Sequence, residues 1–283
     1  MFEVNHCFEI GSSHIICQDY ALSGQIELDG VVYHYGIVCD GCSSSKDTDV
    51  GSRYLAMATR KILNIELKND PNIANIKADV IANKIIQEAS KYNDSEILLK
   101  NCSYDSTLLF FIADDKNYRV FFFGDGCAYI DDNGKHLYSL EYAENAPPYL
   151  SYRLYNDRLF GYGGKYGQTN KNLNVWNVDD INHPSLRTQS FTKIVDDPYL
   201  DLIGDVETLK QISLFTDGIF SFERVDQKGL NKVSFIDASI DYVNYPVKKG
   251  EFTIRNFKFN AKNNLKNGIR HFDDLSCVSI VRS

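Results

Sequence analysis

Acidic residues stand at the edges of apolar runs throughout this sequence, and most of them are followed by glycine. The pairs are Asp40-Gly41, Asp125-Gly126 and Asp217-Gly218, and the cluster Asp273-Asp274 lies beside a further apolar run. A residue at a strand end is held rigidly by the sheet yet points into a cleft rather than the core. Four carboxylates cannot converge as anions without a compensating charge, so they either diverge as turn residues or hold cations. We interpret the pattern as a site for two Mg²⁺ or Mn²⁺ ions.

The composition indicates a folded chain with a sizeable core. Hydrophobic residues make up 43% of the 283 residues and charged residues only 24%, which argues against disorder. The net charge of -8 argues against nucleic acid as the main partner, because phosphate backbones need a basic footprint. An enzyme that cleaves phosphate esters can still be acidic if metal ions supply the local positive charge.

The cysteines and the N-terminus favour a reducing compartment. The seven cysteines are odd in number and scattered, unlike a disulfide framework. Cys39 and Cys42 have C-x-x-C spacing, but no second pair exists, so we take the spacing as coincidence. The N-terminus lacks a basic start and an apolar stretch of signal length, and no run is long enough to span a bilayer. We expect a cytoplasmic protein with no membrane partner.

Hydrophobic periodicity predicts an α+β protein. One amphipathic helix follows Thr48 and Asp49 and ends before Asp70-Pro71, and a second covers about 75–93. Because two adjacent amphipathic helices need a sheet to cover, we expect a single domain over residues 1–283. Strands are predicted at 2–10, 26–29, 31–39, 106–113, 118–124, 127–131, 135–140, 189–195, 211–216 and 276–281. The four strands between 106 and 140 are interpreted as a β-meander.

Two segments have no regular pattern. Residues 143–175 contain Pro147-Pro148, three glycines and many Tyr and Asn residues, and residues 176–199 are rich in loop formers. We expect a flap-like excursion over the surface at about 143–200. Residues 232–266 are predicted to mix helix and loop.

Six short motifs follow one another along the sequence. They are Gln18-Asp19, Val38-Cys39-Asp40-Gly41, Asp105-Ser106-Thr107, Gly124-Asp125-Gly126, Phe215-Thr216-Asp217-Gly218 and Asp273-Asp274-Leu275-Ser276. Their order resembles that of the metal-dependent serine/threonine protein phosphatases of type 2C. Each motif alone is weak, but together they run in the family's order from residue 11 to 281. The resemblance implies a four-layer α-β-β-α sandwich with two antiparallel sheets.

The resemblance also implies roles for individual residues. Asp40 would bridge two metal ions, and the carbonyl of Gly41 would bind one of them. Asp217 and Asp273 would complete the other metal site. Asp19 would orient a metal-bound water, and Asp125 matches the acid that helps to bind a weaker third ion. The alternative for each of these acids is a turn or cap residue.

Several positions depart from the family's pattern. His14 stands where the family usually has an Arg that holds the substrate phosphate; a bacterial branch has a similar Ser-His…Gln-Asp opening. His14 could bind phosphate or relay a proton, or it could be a structural hydrogen bonder. Gly126 replaces the usual Ser. Asp274 replaces the usual Asn, and could tighten metal binding or face solvent. Lys46 and Arg53 are further candidates for phosphate binding, although Arg53 fits a helix-surface charge better.

The reaction implied by the resemblance is hydrolysis of phosphoserine or phosphothreonine in phosphoprotein substrates by a metal-activated water. A second interpretation is a pseudophosphatase that acts as a regulatory binding module, which the missing Arg and the altered motifs favour. A third is a metal-binding hydrolase of small phosphate esters. The oligomeric state stays open.

Overall fold

The computed structural model describes residues 2–92, 102–142, 144, 146–155, 157–158, 160–162, 171–177, 191–194, 199–226, 229–233, 255, 258, 262 and 264–282. The helices, numbered in chain order, are α1 (Thr48–Asn69) and α2 (Ala78–Ala89). The strands are β1 (Phe2–Glu9), β2 (Tyr20–Leu28), β3 (Val31–Cys39), β4 (Leu108–Ala113), β5 (Asn117–Phe123), β6 (Gly126–Asp131), β7 (Lys135–Tyr142), β8 (Lys171–Asn177), β9 (Phe191–Ile194), β10 (Leu200–Asp205), β11 (Gln211–Phe215), β12 (Phe222–Asp226), β13 (Gly229–Lys232), β14 (Ile269–His271) and β15 (Leu275–Arg282).

Two antiparallel sheets stack at the centre of the molecule. One has the strand order β10-β5-β4-β3-β2, and the other β1-β15-β11-β6-β7-β8-β9. Leu109 and Phe111 of β4 pack with Val278 and Ile280 of β15 in the layer between the sheets. Phe110, on the opposite face of β4, packs beneath the helices. All of β4 is buried, as expected of a strand covered on both faces.

The helix pair covers the outer face of the five-stranded sheet. Leu55 and Ile62 of α1 and Ile81 and Ile85 of α2 pack on this face at helical spacing. The first helix ends at Asn69, where the backbone turns extended ahead of a proline, as predicted. No helix among the described residues has the length and apolar character needed to cross a membrane.

The outer face of the seven-stranded sheet has its own apolar cluster. Tyr129, Phe215 and Cys277 pack against Phe222 and Ile269 of a small sheet with the order β13-β12-β14. The layers therefore run from the helix pair through two stacked sheets to an outer covering that includes this small sheet. The predicted α+β class and the paired antiparallel sheets are confirmed.

The predicted β-meander is wrong. Strands β4 and β5 pair in the five-stranded sheet, whereas β6 and β7 pair in the other. The chain changes sheets at Asp125, between Gly124 with φ 118° and Gly126 with φ 139°. Residues with side chains rarely adopt such angles, so the two glycines permit the crossover. Apolar periodicity is the same on both sides of this turn and does not reveal the change of sheet.

Some element boundaries also differ from the predictions. Strand β2 begins at Tyr20, well before the predicted segment 26–29. The second helix is shorter than 75–93 because Ile73–Asn75 and Ser90–Tyr92 are 3₁₀ turns.

The excursion after β7 returns to the sheet within the range 143–200. Strand β8 pairs with β7, and β9, within the predicted strand 189–195, pairs with β8. Residues 232–266, predicted to mix helix and loop, lie mostly outside the described residues.

Candidate functional site

Five carboxyl groups from distant parts of the sequence meet at one end of the stacked sheets. Asp40 follows β3 and Asp217 follows β11, whereas Asp19 precedes β2, Asp273 lies just before β15 and Asp125 lies in the crossover after β5. Asp40 is close enough to feel the negative charge of each of the other four. Strands from both sheets therefore bring together acids that lie far apart in the chain.

Close packing of two loops places Asp217 beside Asp273. The backbone of Gly218 lies against the next loop so tightly that a Cβ atom there would be 1.8 Å from the carbonyl oxygen of Asp274. Only glycine fits at this position. Ser221, at the end of the same turn, accepts a hydrogen bond from the backbone N–H of Asp273 at 3.1 Å. The Asp-Gly pair at 217 thus serves loop packing as well as the turn.

Burial and mutual repulsion raise the pKa values of these carboxyls. Burial raises the pKa of Asp19 to about 8, although a hydrogen bond from Thr216 opposes the shift. Burial and the charge of Asp217 raise the pKa of Asp125 to about 8, while burial and the charge of Asp273 raise that of Asp217 to about 6. Asp40 is shifted in the same direction by burial and by its acidic neighbours. Such a cluster favours a bound cation, which removes the repulsion.

Asp19 is held by the ends of β11 and β15. The hydroxyl of Thr216 donates to Oδ2 of Asp19 at 2.6 Å and accepts from the backbone N–H of Ser276 at 2.8 Å. The other oxygen, Oδ1, is buried and has no hydrogen-bond partner among the described residues. A buried acceptor without a donor is a suitable cation ligand. The sequence analysis names Thr216 within a motif but predicts no role for it, since only its contact with a residue nearly 200 positions away reveals that role.

His14 lies between two carboxylates at the edge of the site. Its Nδ1 is 2.9 Å from Oδ2 of Asp274, a close ion-pair contact in which the ring N–H is not aligned as a hydrogen bond. Its Nε2 is 3.5 Å from Oδ1 of Asp273. Partial burial lowers the pKa of His14, but the charges of Asp274, Asp273 and Asp19 outweigh that effect and raise it. The structure thus brings His14 to the acids, as the sequence comparison with the family's opening motif predicts.

Asp274, acidic where the family usually has Asn, is buried and does not face solvent. Its side chain is 1% exposed. Oδ1 accepts from the backbone N–H of Gly11 at 2.7 Å, and Oδ2 accepts from that of Gln18 at 2.6 Å. One carboxylate therefore closes the loop that carries His14. The Asp-Asp pair was the visible signal, but the sequence did not show that its partners would be backbone amides near the N-terminus.

The donor chemistry of the site fits Mg²⁺ or Mn²⁺. These hard cations prefer carboxylate and carbonyl oxygens, which Asp40, Gly41, Asp125, Asp217 and Asp273 offer. Within the described part of the chain, no three His, Cys, Asp or Glu side chains are grouped closely enough to hold an ion. The site thus offers suitable ligands without a preformed coordination shell, and the role of each ligand stays a prediction.

The two other candidate phosphate binders lie at the surface. Lys46 is exposed in the loop before α1. Arg53 is exposed on α1, with its guanidinium 5.6 Å from the centre of the Tyr20 ring. The contact of Arg53 agrees with the helix-surface interpretation.

Comparison with known proteins finds one family model that matches part of the chain. Residues 10–147 match the family model described as protein phosphatase 2C. No curated protein matches the sequence closely enough to be reported.

Solved structures of bacterial phosphatases share the fold over the whole chain. The serine/threonine phosphatase Stp1 from Staphylococcus aureus is 13% identical with a TM-score of 0.54, covering 100% of this chain and 96% of its own. A bacterial serine phosphatase is 12% identical with a TM-score of 0.55, covering 100% and 98%. The S. agalactiae serine/threonine phosphatase is 13% identical with a TM-score of 0.50, covering 100% of both chains. Residues 10–147 are therefore similar to the protein phosphatase 2C family, and the whole chain shares the fold of these bacterial phosphatases.

Proposed function

We propose that this protein hydrolyses phosphoserine and phosphothreonine in phosphoprotein substrates with the help of two Mg²⁺ or Mn²⁺ ions. The observation that carries the proposal is the convergence of Asp19, Asp125, Asp217 and Asp273 on Asp40. Acids gathered in this way need a compensating cation. The family match supports the reaction class, because a shared fold alone does not fix a function.

The ligand set follows the resemblance. Asp40 would be shared by the two ions, with the Gly41 carbonyl on one of them and Asp217 and Asp273 on the other. Asp125 would contribute to a third, weaker ion. When bound, the ions supply charge to neutralise the phosphate and acidify a water molecule.

The remaining side chains of the site would donate hydrogen bonds to the substrate or hold other groups in position. His14 presents an N–H near Asp273 and would donate to a phosphate oxygen, the task that the family gives to an Arg. Asp274 holds the loop of His14, so that the imidazole meets the substrate in one orientation. Thr216 fixes one oxygen of Asp19 and leaves the other to orient a water.

The cysteines support the cytoplasm as the compartment. All seven are free thiols in the structure, including the three that are buried. Free thiols of this number persist in a reducing environment. We propose a cytoplasmic enzyme that acts on phosphorylated proteins.

The test is hydrolysis of p-nitrophenyl phosphate and of phosphoserine peptides by the purified chain in Mn²⁺. Asp40→Asn and Asp217→Asn should each lower kcat/KM by about 100-fold or more, because metal ions supply several kcal/mol of charge stabilisation in the transition state. Asp115→Asn, in an exposed turn between β4 and β5, is the matched control and should retain activity.

Three outcomes would contradict the proposal in different ways. Activity that survives chelation would exclude a metal-dependent reaction. Mn²⁺ binding without turnover would favour the pseudophosphatase. Turnover of p-nitrophenyl phosphate without turnover of any phosphopeptide would favour a hydrolase of small esters.

A further inference from the structure

A short segment lies directly behind the loop that carries Asp40. The backbone N–H of Thr107 donates to the carbonyl of Asp40 at 2.8 Å, and the N–H of Cys42 donates to the carbonyl of Asp105 at 2.9 Å. Between these two bonds, Gly41 and Ser106 form an antiparallel bridge. The backbone of the predicted cation-binding loop is therefore set by residues 105–107.

The side chain of Asp105 is a buried charge with four donors. The residue is 3% exposed. Arg158 donates to both carboxylate oxygens, from Nη1 at 2.9 Å and from Nη2 at 2.6 Å. Ser151 donates to Oδ1 at 2.6 Å and Ser45 to Oδ2 at 3.1 Å. A bidentate pair of this kind is strong and directional, and removal of one partner would leave a buried charge uncompensated.

The three residues that supply these four donors come from two separate segments. Ser45 belongs to the loop after Asp40, whereas Ser151 and Arg158 belong to the flap segment, which we define as residues 146–155, 157–158 and 160–162. The guanidinium of Arg158 also lies 4.3 Å from the centre of the Tyr152 ring, which fixes its orientation. The Asp105 carboxylate thus joins the flap segment to the metal-binding loop through one ion pair.

We propose that Asp105 and Arg158 are positioning residues that set the cation affinity of the site by holding the backbone from Asp40 to Cys42. The inference rests on the proposed function, since it assumes that cations bind at Asp40. Neither side chain would touch the substrate or an ion. The attachment of the flap segment then controls how well the loop presents Asp40 and Gly41 to a metal.

A second arginine of the flap segment provides a matched control. Arg153 donates to Oδ1 of Asp79 at 2.7 Å and to Asn83 at 3.1 Å, both on α2. This contact also attaches the flap segment to the body of the protein, but it has no link to the loop of Asp40. A general loosening of the flap segment would follow from the loss of either arginine, whereas only Arg158, of the two, contacts Asp105 behind the loop of Asp40.

The experiment measures Mn²⁺ dissociation constants by calorimetry for the full chain and its variants. Arg158→Gln and Asp105→Asn should weaken Mn²⁺ binding by about 10-fold or more, the usual effect of residues that orient metal ligands. Arg153→Gln should leave the dissociation constant unchanged. At saturating Mn²⁺, the kcat of Arg158→Gln with p-nitrophenyl phosphate should recover most of its wild-type value.

The double variant tests whether the two residues act as a unit. If they do, Asp105→Asn combined with Arg158→Gln weakens Mn²⁺ binding no more than the worse single variant. Should Asp105→Asn fail to fold, Arg158→Gln decides the question, because that side chain is partly exposed.

Wild-type Mn²⁺ affinity in Arg158→Gln, or an equal loss in Arg153→Gln, would overturn the inference while leaving the proposed function intact. Absence of Mn²⁺ binding by the wild-type protein would overturn the proposed function and this inference with it.

Discussion

The neighbouring residues Asp273 and Asp274 have different surroundings and are suited to different roles. The side chain of Asp273 is 44% exposed and faces His14, whereas that of Asp274 is 1% exposed and accepts from two backbone amides. Hydrogen bonds to a charged acceptor are stronger than those to a neutral one, and a buried amide left unpaired is costly. Asp273 is therefore suited to ligand binding and Asp274 to holding the fold of the N-terminal loop.

Substitution of each residue by asparagine should separate the two roles. Asp274→Asn should lower the free energy of unfolding by about 1–3 kcal/mol, because an NH₂ group would replace one acceptor of the backbone N–H groups. Asp273→Asn should change it by less than about 0.5 kcal/mol, as expected of a partly exposed side chain, yet abolish most activity. Urea unfolding in the presence of a chelator measures the stability without a metal contribution. Equal stability losses in the two variants would contradict this division.

At the scale of elements, one buried arginine joins the helix pair to the sheet. Arg119 of β5 is 6% exposed and donates to the carbonyls of Ile73, Ala74 and Ile76, in and after the turn between α1 and α2. It also pairs with Asp201 of the edge strand β10. Because one buried guanidinium contacts three carbonyls of this segment, it fixes where the helix pair sits on the sheet.

Arg119→Met should therefore destabilise the protein by about 3–5 kcal/mol, because it leaves Asp201 and several carbonyls without their partner. The comparison is Lys84→Met, which removes an exposed contact of 2.7 Å between Lys84 of α2 and Glu66 of α1 and should cost about 1 kcal/mol at most. Thermal or urea unfolding of the two variants measures both losses of stability. A loss at Arg119 no larger than at Lys84 would show that the helix pair is held by apolar packing alone.

At the scale of the whole molecule, the acids at the site make stability depend on pH. Their pKa values in the folded state lie above the value of an unfolded aspartate, at about 6 for Asp217 and about 8 for Asp19 and Asp125. Between the pKa of an unfolded aspartate and the raised pKa values of the folded state, the folded chain therefore binds more protons than the unfolded chain. The stability this contributes is present at low pH and is lost as pH rises through the folded pKa values.

In the presence of a chelator, the melting temperature should thus fall as the pH rises from about 5.5 to about 8.5. In a separate series without chelator, added Mn²⁺ should raise the melting temperature more at the higher pH, because fewer protons compete for the carboxylates there. Differential scanning fluorimetry across this range measures both effects. Asp125→Asn, which removes one titrating group, should flatten the dependence. A melting temperature that rises with pH in the chelator would mean that the acids are not clustered in solution.

Much of the architecture could be predicted because its signals are local. The apolar runs that became β3, β4 and β5 are buried on both faces, and Asp70-Pro71 ended the first helix where expected. The acids at strand ends stand next to apolar runs, and this position in the sequence is sufficient to predict that they lie close together.

The contacts that were missed link residues far apart in the chain. Asp105 meets Arg158 across 53 positions, and Asp274 meets Gly11 across 263. The change of sheet at Asp125 was missed for a related reason, since two strands with the same periodicity can pair with each other or with other partners. Periodicity reports which face of a strand is apolar, but pairing depends on the whole arrangement.

The place of β15 in the sheet has a consequence for the order of assembly during synthesis. This strand, from the C-terminal end of the sequence, lies between β1 and β11, and β1 pairs with it along its full length from Phe2 opposite Arg282. Strand β1 is therefore synthesised long before its partner β15, and contacts of such long range slow folding. A chain translated only as far as β14 would also lack Asp273, so the cluster of acids is completed late in synthesis.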